Sequence, residues 1–318
     1  MVHRTLTVAM VLLVVAIVWV SATALDRDDP ESPTSVSNVV APAALDEQSR
    51  PTLKRFVFTV NGTERTAALH VPKGASSAKP MPIFVVFHGG KDSTARAITN
   101  NWSSMFDQGV LMVFPNGQRD RPDEPAWNVD DPADLQDVEL TRELLRVLER
   151  EYRVDPARRY VAGFSNGGMQ TMMLMCHASD LFAGAAVVHQ TLHNHLAETC
   201  QPGRQVPLLY INGTADAQWP GRYFSRSAPD TFEWWSRRHG CKLKSLKREA
   251  MPDRADDGTT VERWRFGRCD RAQMEMLRIE GGGHSWPGSQ FSGDDHCLDV
   301  DATREITDFW RSHAALGG

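Results

Sequence analysis

The sequence predicts an α/β fold, in which a mostly parallel sheet carries helices on both faces. Short apolar runs alternate along the chain with longer segments of helical periodicity, which is typical of strand–helix–strand units. The run Pro82–Phe87 is apolar throughout, as expected for a strand buried on both faces. Glycine-rich or polar loops follow several of these runs. Such loops should gather at the carboxyl edge of the sheet.

The elements follow in chain order from periodicity and turn residues. Phe56–Val60 and Arg65–Val71 predict a hairpin, because Asn61-Gly62 between them is a favoured two-residue turn. Strands are then predicted at Ile83, Val110–Phe114, Arg159–Ala162, Gly184–Val188, Leu208–Ile211 and Met274–Ile279, with a further hairpin over Leu243–Phe266. One amphipathic helix is predicted from the residues that share one of its faces, Val138, Thr141, Leu144, Leu145, Leu148 and Tyr152. Three more helices are predicted over Met169–Cys176, Thr231–His239 and Thr303–His313.

The two ends of the chain differ in character. Leu6–Val20 is almost wholly apolar, with Arg4 before it and Ser21–Ala24 after it, which predicts a signal peptide over residues 1–24. The run is short for a bilayer span of about 20 residues, although an uncleaved membrane anchor is the alternative. Residues 25–51 lack periodicity and predict a flexible linker. Residues 52–318 predict one catalytic domain, with no repeat or second module.

Composition restricts the partners. The 318 residues carry a formal net charge of −5, and this mild acidity argues against binding to nucleic acid or an anionic surface. An exported protein without a membrane partner is expected unless the signal peptide stays attached. The oligomeric state is left open.

Gly163-Phe164-Ser165-Asn166-Gly167-Gly168 matches the G-x-S-x-G pattern between a predicted strand and a predicted helix. That context is typical of a nucleophile elbow, where a sharp turn exposes a serine hydroxyl above the sheet. The alternative is an ordinary glycine loop with Ser165 on the surface. The flanking strand and helix favour Ser165 as a nucleophile.

A serine nucleophile needs a base, and a histidine base needs an acid that orients it. Asp216 follows the strand that ends at Ile211, and His284 follows three glycines after the strand that ends at Ile279. The order Ser165, Asp216, His284 is the one that this kind of site uses. A lone Asp or His in a loop is more often structural, but the ordered set predicts a triad. The competing acids Asp256, Asp257 and Asp270 lie in polar connections or at a strand start.

An oxyanion site is predicted from His88-Gly89-Gly90-Lys91, directly after a buried strand. One backbone N–H is expected from Gly90, with Lys91 as the alternative, and the other from Asn166, the residue after the nucleophile. His88 is predicted to hold this loop rather than to act as a second base.

These motifs form an ordered series that resembles the polyhydroxybutyrate-depolymerase-like esterases, relatives of feruloyl and acetylxylan esterases in the α/β-hydrolase superfamily. The series consists of His88-Gly89, Pro115–Gly117 with Trp127-Asn128, Gly163–Met169, Gly213–Asp216 and Gly281–Gly288. The resemblance spans about Phe56 to His313 and implies ester hydrolysis through an acyl-enzyme without a cofactor. Val188–His195 and Ala217–Gly221 depart from the family pattern at the expected rim of the site, where substrate preference is set.

Five cysteines in an exported chain indicate two disulfides and one remaining thiol. The family resemblance supports a pair between Cys176 and Cys200. Cys241 and Cys269 bracket the second predicted hairpin and form the second pair. Cys297 is then free.

Trp127, Trp219 and Trp286 fall on loops expected around Ser165, where they would offer flat walls for a substrate. Ordinary packing is the alternative for each. His189 is likewise expected to contact substrate at the rim. It also belongs to a histidine-rich segment with His193 and His195, but no spaced carboxylate or cysteine completes a ligand set, so no metal is predicted.

The sequence therefore predicts a secreted serine esterase, extracellular or periplasmic. Its expected substrates are short-chain hydroxyalkanoate esters or oligomers. Feruloyl or acetyl esters of plant polysaccharide are the alternative. A serine peptidase and a catalytically silent binding protein are less favoured readings of the same residues.

Overall fold

A ten-stranded sheet organises the part of the chain that the structure describes. The computed structural model describes residues 53–314, apart from 74, 76–78, 91–100, 107, 119–124, 222–223 and 290–295. The predicted signal peptide, the linker and Lys91 lie outside these residues. The strands are β1 Lys54–Val60, β2 Thr63–His70, β3 Met81–Phe87, β4 Leu111–Pro115, β5 Val154–Phe164, β6 Gly184–Val188, β7 Leu208–Gly213, β8 Leu246–Ala250, β9 Thr260–Phe266 and β10 Met274–Glu280.

The strand order is β1-β2-β4-β3-β5-β6-β7-β10-β9-β8. The six central strands, β4 to β10 in that order, run parallel to one another. Both margins of the sheet are antiparallel, formed by β1 and β2 on one side and by β9 and β8 on the other. The predicted mostly parallel α/β sheet is therefore confirmed.

Five helices accompany the described strands: α1 Gln136–Glu151, α2 Asn166–His177, α3 Asn194–Thr199, α4 Ala228–Arg238 and α5 Ala302–Ala314. The Ser227 side chain caps α4 by accepting a hydrogen bond from Asp230 N, as expected of a serine at this position. The short helix α3 was not predicted, because its histidine-rich segment has no helical period. No helix among the described residues is long and apolar enough to cross a membrane.

The two faces of the sheet carry separate apolar cores. Ile83, Val85 and Phe87 on β3 pack in one cluster with buried side chains from α1, α2 and α4. The intervening Phe84 and Val86 belong to the other cluster, together with buried residues of α5. Side chains of a strand alternate between faces, so a continuously apolar strand serves both cores. All described residues belong to one compact unit spanning Gln48–Gly318.

Both predicted hairpins are present. Asn61 and Gly62 have φ of 48° and 83°, the positive values that a tight hairpin turn requires. The second hairpin, β8 and β9, extends the sheet beyond β10. Its base is linked by a disulfide between Cys241 and Cys269.

A second disulfide joins Cys176, in the last turn of α2, to Cys200, the residue after α3. Cys297 is a free cysteine and is buried. Both predicted pairings and the leftover thiol are thus as expected.

Candidate active site

Ser165 lies in a sharp turn between β5 and α2. Its φ is 53° and its ψ is −122°, a conformation that costs a non-glycine residue about 1–3 kcal/mol and is typical of functional sites. Its N–H donates to the Val188 carbonyl at 2.9 Å. The turn therefore joins the end of β5 to the end of β6 and holds the hydroxyl above the sheet.

The glycines of the G-x-S-x-G pattern are required by close backbone approach. A Cβ on Gly163 would lie 2.0 Å from the Gly167 carbonyl oxygen, and one on Gly167 would lie 2.4 Å from the His88 carbonyl oxygen. Both distances are too short for a carbon–oxygen contact. Any larger residue would push the strand, the helix and the His88 loop apart.

The loops after β7 and β10 are bound to each other. Ala215 N donates to the Gly282 carbonyl at 3.0 Å, and Gly281 N donates to the Thr214 hydroxyl at 2.9 Å. Because β7 and β10 are parallel neighbours, these bonds hold the turn of Asp216 beside the histidine loop.

A continuous hydrogen-bond chain links the three side chains predicted from the sequence. Ser165 Oγ lies 2.9 Å from His284 Nε2, and His284 Nδ1 lies 2.7 Å from Asp216 Oδ2. An ionised carboxylate can only accept, so His284 carries its proton on Nδ1. Its Nε2 is then free to accept the proton of the seryl hydroxyl.

Asp216 is held as a buried anion. It is 3% exposed, and its other oxygen accepts the Gln218 N–H at 2.8 Å. Burial alone raises the pKa of this carboxyl, but hydrogen bonds from His189 and His284 outweigh it and leave the pKa well below its ordinary value. The carboxylate therefore stays charged at neutral pH.

The loop after β3 approaches the start of α2 from the other side. A Cβ on Gly90 would lie 3.5 Å from Asn166 Cβ, so the two predicted oxyanion donors are neighbours. The Trp127 N–H donates to the side-chain oxygen of Asn166 at 2.7 Å. This contact does not involve the backbone N–H of Asn166.

His88 supports this loop, as predicted. Its Nε2 accepts the Gly117 N–H at 3.0 Å, and its Nδ1 lies 2.7 Å from the Gly89 carbonyl, to which it donates. Both ring nitrogens are thus used by the backbone, and His88 is 2% exposed. It is not available as a second base.

The prediction that Trp127 contacts substrate is wrong. Its side chain is fully buried, packs edge-on to Phe87 at 4.8 Å and donates from Nε1 to the His88 carbonyl at 2.9 Å. Sequence position placed Trp127 near the site correctly, but the indole supports the His88 loop from inside the protein.

The other two tryptophans differ in exposure. Trp286 is 5% exposed and lies near Phe164, with ring centroids 6.3 Å apart. Trp219 is only partly buried, and Arg278 lies over its ring at 5.5 Å. Of the three, Trp219 has the most surface left for a ligand.

The prediction of a substrate contact is also wrong for His189, which is 1% exposed. The side chain points at the carboxylate instead, with Nδ1 at 2.8 Å from Asp216 Oδ2. Sequence reasoning missed this contact. The available signal was the position of His189 directly after a buried strand, at the same sheet edge as the triad residues.

Two groups of potential metal ligands occur among the described residues: His189, Asp216 and His284, and Asp257, Cys297 and Asp299. In the first group the donor atoms already hydrogen-bond to one another. In the second, Asp257 accepts the Leu298 N–H and Asp299 accepts the Arg254 N–H. The expectation of a metal-free protein remains a prediction.

The Esterase family model, described as "Putative esterase", matches residues 59–238. "Putative esterase NocK" of Nocardia uniformis subsp. tsuyamanensis is 28% identical, over 86% of this chain and 88% of its own length. "Feruloyl esterase B" of Piromyces equi is 26% identical over 70% of this chain, which spans only 42% of that protein. "Poly(3-hydroxybutyrate) depolymerase" of Ralstonia pickettii is 27% identical over 41% of this chain and 30% of its own length.

Among solved structures, the acetyl xylan esterase from Aspergillus awamori superposes with a TM-score of 0.61. It is 16% identical, and the superposition covers 81% of this chain and 98% of that one. At this identity the likeness supports the fold alone.

Proposed function

The protein is a carboxylic ester hydrolase of the Esterase family, and we propose that Ser165 is its nucleophile, with His284 as general base and Asp216 as the acid that orients the imidazole. The observation that carries the proposal is the continuous hydrogen-bond chain from Ser165 Oγ through His284 to Asp216 Oδ2. The strained φ of Ser165 supports the same assignment.

The first half of the reaction is acylation. Ser165 Oγ attacks the ester carbonyl carbon while its proton moves to His284 Nε2. The negative charge on the carbonyl oxygen is stabilised by backbone N–H groups of Gly90 and Asn166, each such donor being worth about 3–4 kcal/mol in other enzymes. The tetrahedral intermediate then collapses, and the alcohol leaves with the proton that His284 returns to its oxygen.

Deacylation repeats these steps with water. His284 Nε2 takes a proton from a water molecule while the water oxygen attacks the carbonyl carbon of the acyl group on Ser165. Collapse of the second intermediate releases the carboxylic acid and returns the proton to Ser165 Oγ. Asp216 stays ionised throughout and stabilises the imidazolium that forms twice in the cycle.

Two classes of ester are proposed as substrates. Short-chain hydroxyalkanoate esters or oligomers are the first class, supported by the relatives named poly(3-hydroxybutyrate) depolymerase and poly(3-hydroxyalkanoate) depolymerase C. Feruloyl or acetyl esters of polysaccharide are the second, supported by relatives that align with a larger share of this chain. The partly buried Trp219 is proposed to contact either kind of substrate.

We also propose that the protein is exported. Two disulfides among the described residues support this, because disulfides persist in oxidising compartments. Within the proposal, residues 1–24 act as the export signal, 25–51 as a linker and 52–318 as the catalytic domain.

The test is hydrolysis of an ester panel by the wild-type protein and by Ser165→Ala. The panel contains p-nitrophenyl acetate and butyrate, 3-hydroxybutyrate oligomers, methyl ferulate and acetylated xylan. Loss of the nucleophile should lower kcat by at least about 10³-fold, and the preferred ester selects the substrate class. Equal turnover by both proteins would refute the role of Ser165. The anilide counterparts of the two p-nitrophenyl esters are assayed beside the panel. Cleavage of these amides but of no ester would indicate a peptidase, and no turnover at all would indicate a binding protein.

A further inference from the structure

His189 occupies a position that the proposed reaction does not use. It follows β6, and its N–H continues the ladder to β7 by donating to the Ile211 carbonyl at 2.9 Å. Its φ is 51°, in the left-handed region that residues other than glycine rarely adopt. Such strain persists only where surrounding contacts enforce it, and it concentrates at functional sites.

The contact that accompanies this strain is a hydrogen bond to Asp216. His189 Nδ1 lies 2.8 Å from Asp216 Oδ2, the same oxygen that His284 Nδ1 approaches at 2.7 Å. One carboxylate oxygen therefore lies between two imidazole rings, whose centroids are 5.7 Å apart. Since the carboxylate only accepts, both rings present Nδ1–H to it.

The surroundings keep His189 neutral. It is 1% exposed, and burial lowers the pKa of its imidazole, although its hydrogen bond with Asp216 opposes this. Among the described residues, His189 and Asp216 act on each other, and the other titratable groups that interact with them are His284 and the buried Tyr210. The Tyr210 hydroxyl is itself occupied, donating to the Gln190 carbonyl at 2.9 Å.

From this geometry we infer that His189 is a positioning residue for the proposed triad, a second imidazole that fixes the Asp216 carboxylate and shares its negative charge. The inference rests on the proposed function. Without His189, the Gln218 N–H would hold one carboxylate oxygen and His284 alone would hold the other, so the oxygen that faces His284 would have no second donor to fix its position. The second N–H fixes its orientation and reduces the charge that Asp216 offers to His284.

The test uses two variants that separate hydrogen bonding from ring packing. His189→Asn keeps a side-chain N–H donor and tolerates the positive φ, but it loses the ring. His189→Phe keeps a ring of similar shape but has no donor. Because phenylalanine tolerates the positive φ less well, kcat is measured well below the unfolding midpoint of each variant. Each is compared with the wild type by kcat, KM and pH profile on p-nitrophenyl acetate and butyrate, and by thermal unfolding.

We expect His189→Phe to lose about 10-fold to 100-fold in kcat, as loss of orientation typically causes, with similar KM values for both esters. The acid limb of its kcat/KM profile should move to higher pH, because the undivided charge of Asp216 favours the imidazolium form of His284. His189→Asn should stay within about fivefold of the wild-type kcat.

Two kinetic results would overturn the inference: a His189→Phe variant with wild-type kcat and pH profile, or a His189→Asn variant as impaired as His189→Phe. So would KM changes that depend on the ester, which indicate substrate contact.

A second readout does not depend on activity, and the number of signals in the wild-type protein is informative without any variant. Proton NMR of the wild-type protein should show two strongly downfield ring N–H signals, from His189 and His284, and His189→Phe should retain only one. Both signals together with no ester turnover would refute the proposed function while the hydrogen-bond arrangement stands. A single downfield signal in an active wild-type enzyme would refute the inference alone.

Discussion

At the scale of single residues, backbone strain is concentrated at the site. Among the described residues, the non-glycine residues with positive φ are Asn61, Ser165 and His189. Asn61 is explained by its hairpin turn, and asparagine tolerates this region. The other two residues lie at the ends of the adjacent strands β5 and β6, where each aims a side chain at the hydrogen-bond chain. At Ser165 and His189, the strained backbone therefore places a side chain in the hydrogen-bond chain.

Replacing Asp216 by asparagine tests the orienting acid. The amide of Asp216→Asn can present N–H to His284, which favours the wrong tautomer, and kcat should fall by up to about 10⁴-fold. Steady-state kinetics on p-nitrophenyl butyrate would measure this. A loss of less than about tenfold would show that Asp216 is not the orienting acid.

The same variant tests the pH dependence of stability. The pKa of Asp216 is lowered in the folded protein, so its contribution to stability is present above its unfolded pKa of about 3.9. That contribution is lost as the pH falls through the lower folded pKa. Unfolding midpoints of the wild type and Asp216→Asn should therefore differ most near neutral pH and converge in acid. A gap that widens in acid would contradict the assigned direction.

At the scale of elements, helix α2 begins directly after Ser165 and is cross-linked by a disulfide at its other end. Its first residue is Asn166, and Cys176 near its end is bonded to Cys200 after α3. The pair encloses a segment with a sequence separation of 24 residues. Cross-linking a loop of this size restricts the unfolded chain, with typical stabilisation of about 2–4 kcal/mol. The disulfide therefore stabilises the folded protein, and it lies at the opposite end of α2 from Ser165.

Removal of this disulfide should lower stability more than activity. For Cys176→Ser with Cys200→Ser, the unfolding midpoint should fall by about 5–15 °C, whereas kcat measured well below that midpoint should change little. Differential scanning calorimetry gives the first quantity. The matched control is Cys241→Ser with Cys269→Ser, which opens the edge hairpin instead. An unchanged midpoint in the first double variant would contradict this account.

At the scale of the whole molecule, the parallel sheet brings distant residues to one edge. The neighbouring strands β3, β5, β6, β7 and β10 all point the same way. From their carboxyl ends come the residues of the proposed site, in the strand order Gly90, Ser165, His189, Asp216 and His284. Ser165 and His284, which are 119 residues apart in the chain, thus lie within hydrogen-bond distance of each other.

The sequence predicted the parts of this site that have local signals. Ser165 lies in a glycine-bounded turn, and Asp216 and His284 each follow a recognisable strand. The burial of Trp127 was not predictable in this way, because it depends on a contact with the His88 carbonyl, far away in the chain. The position of His189 after a buried strand indicates the sheet edge, but its contact with Asp216 also requires knowing that β6 lies between β5 and β7, and no local pattern encodes that order.

Covalent labelling shows whether Ser165 is an activated nucleophile. A fluorophosphonate reacts when a serine oxygen attacks phosphorus and fluoride leaves, and peptide mass spectrometry identifies the modified residue. We expect one adduct, on the peptide containing Ser165, formed by the wild type and abolished in both Ser165→Ala and His284→Ala. An adduct on another serine, or no adduct on the folded wild-type protein, would contradict this expectation.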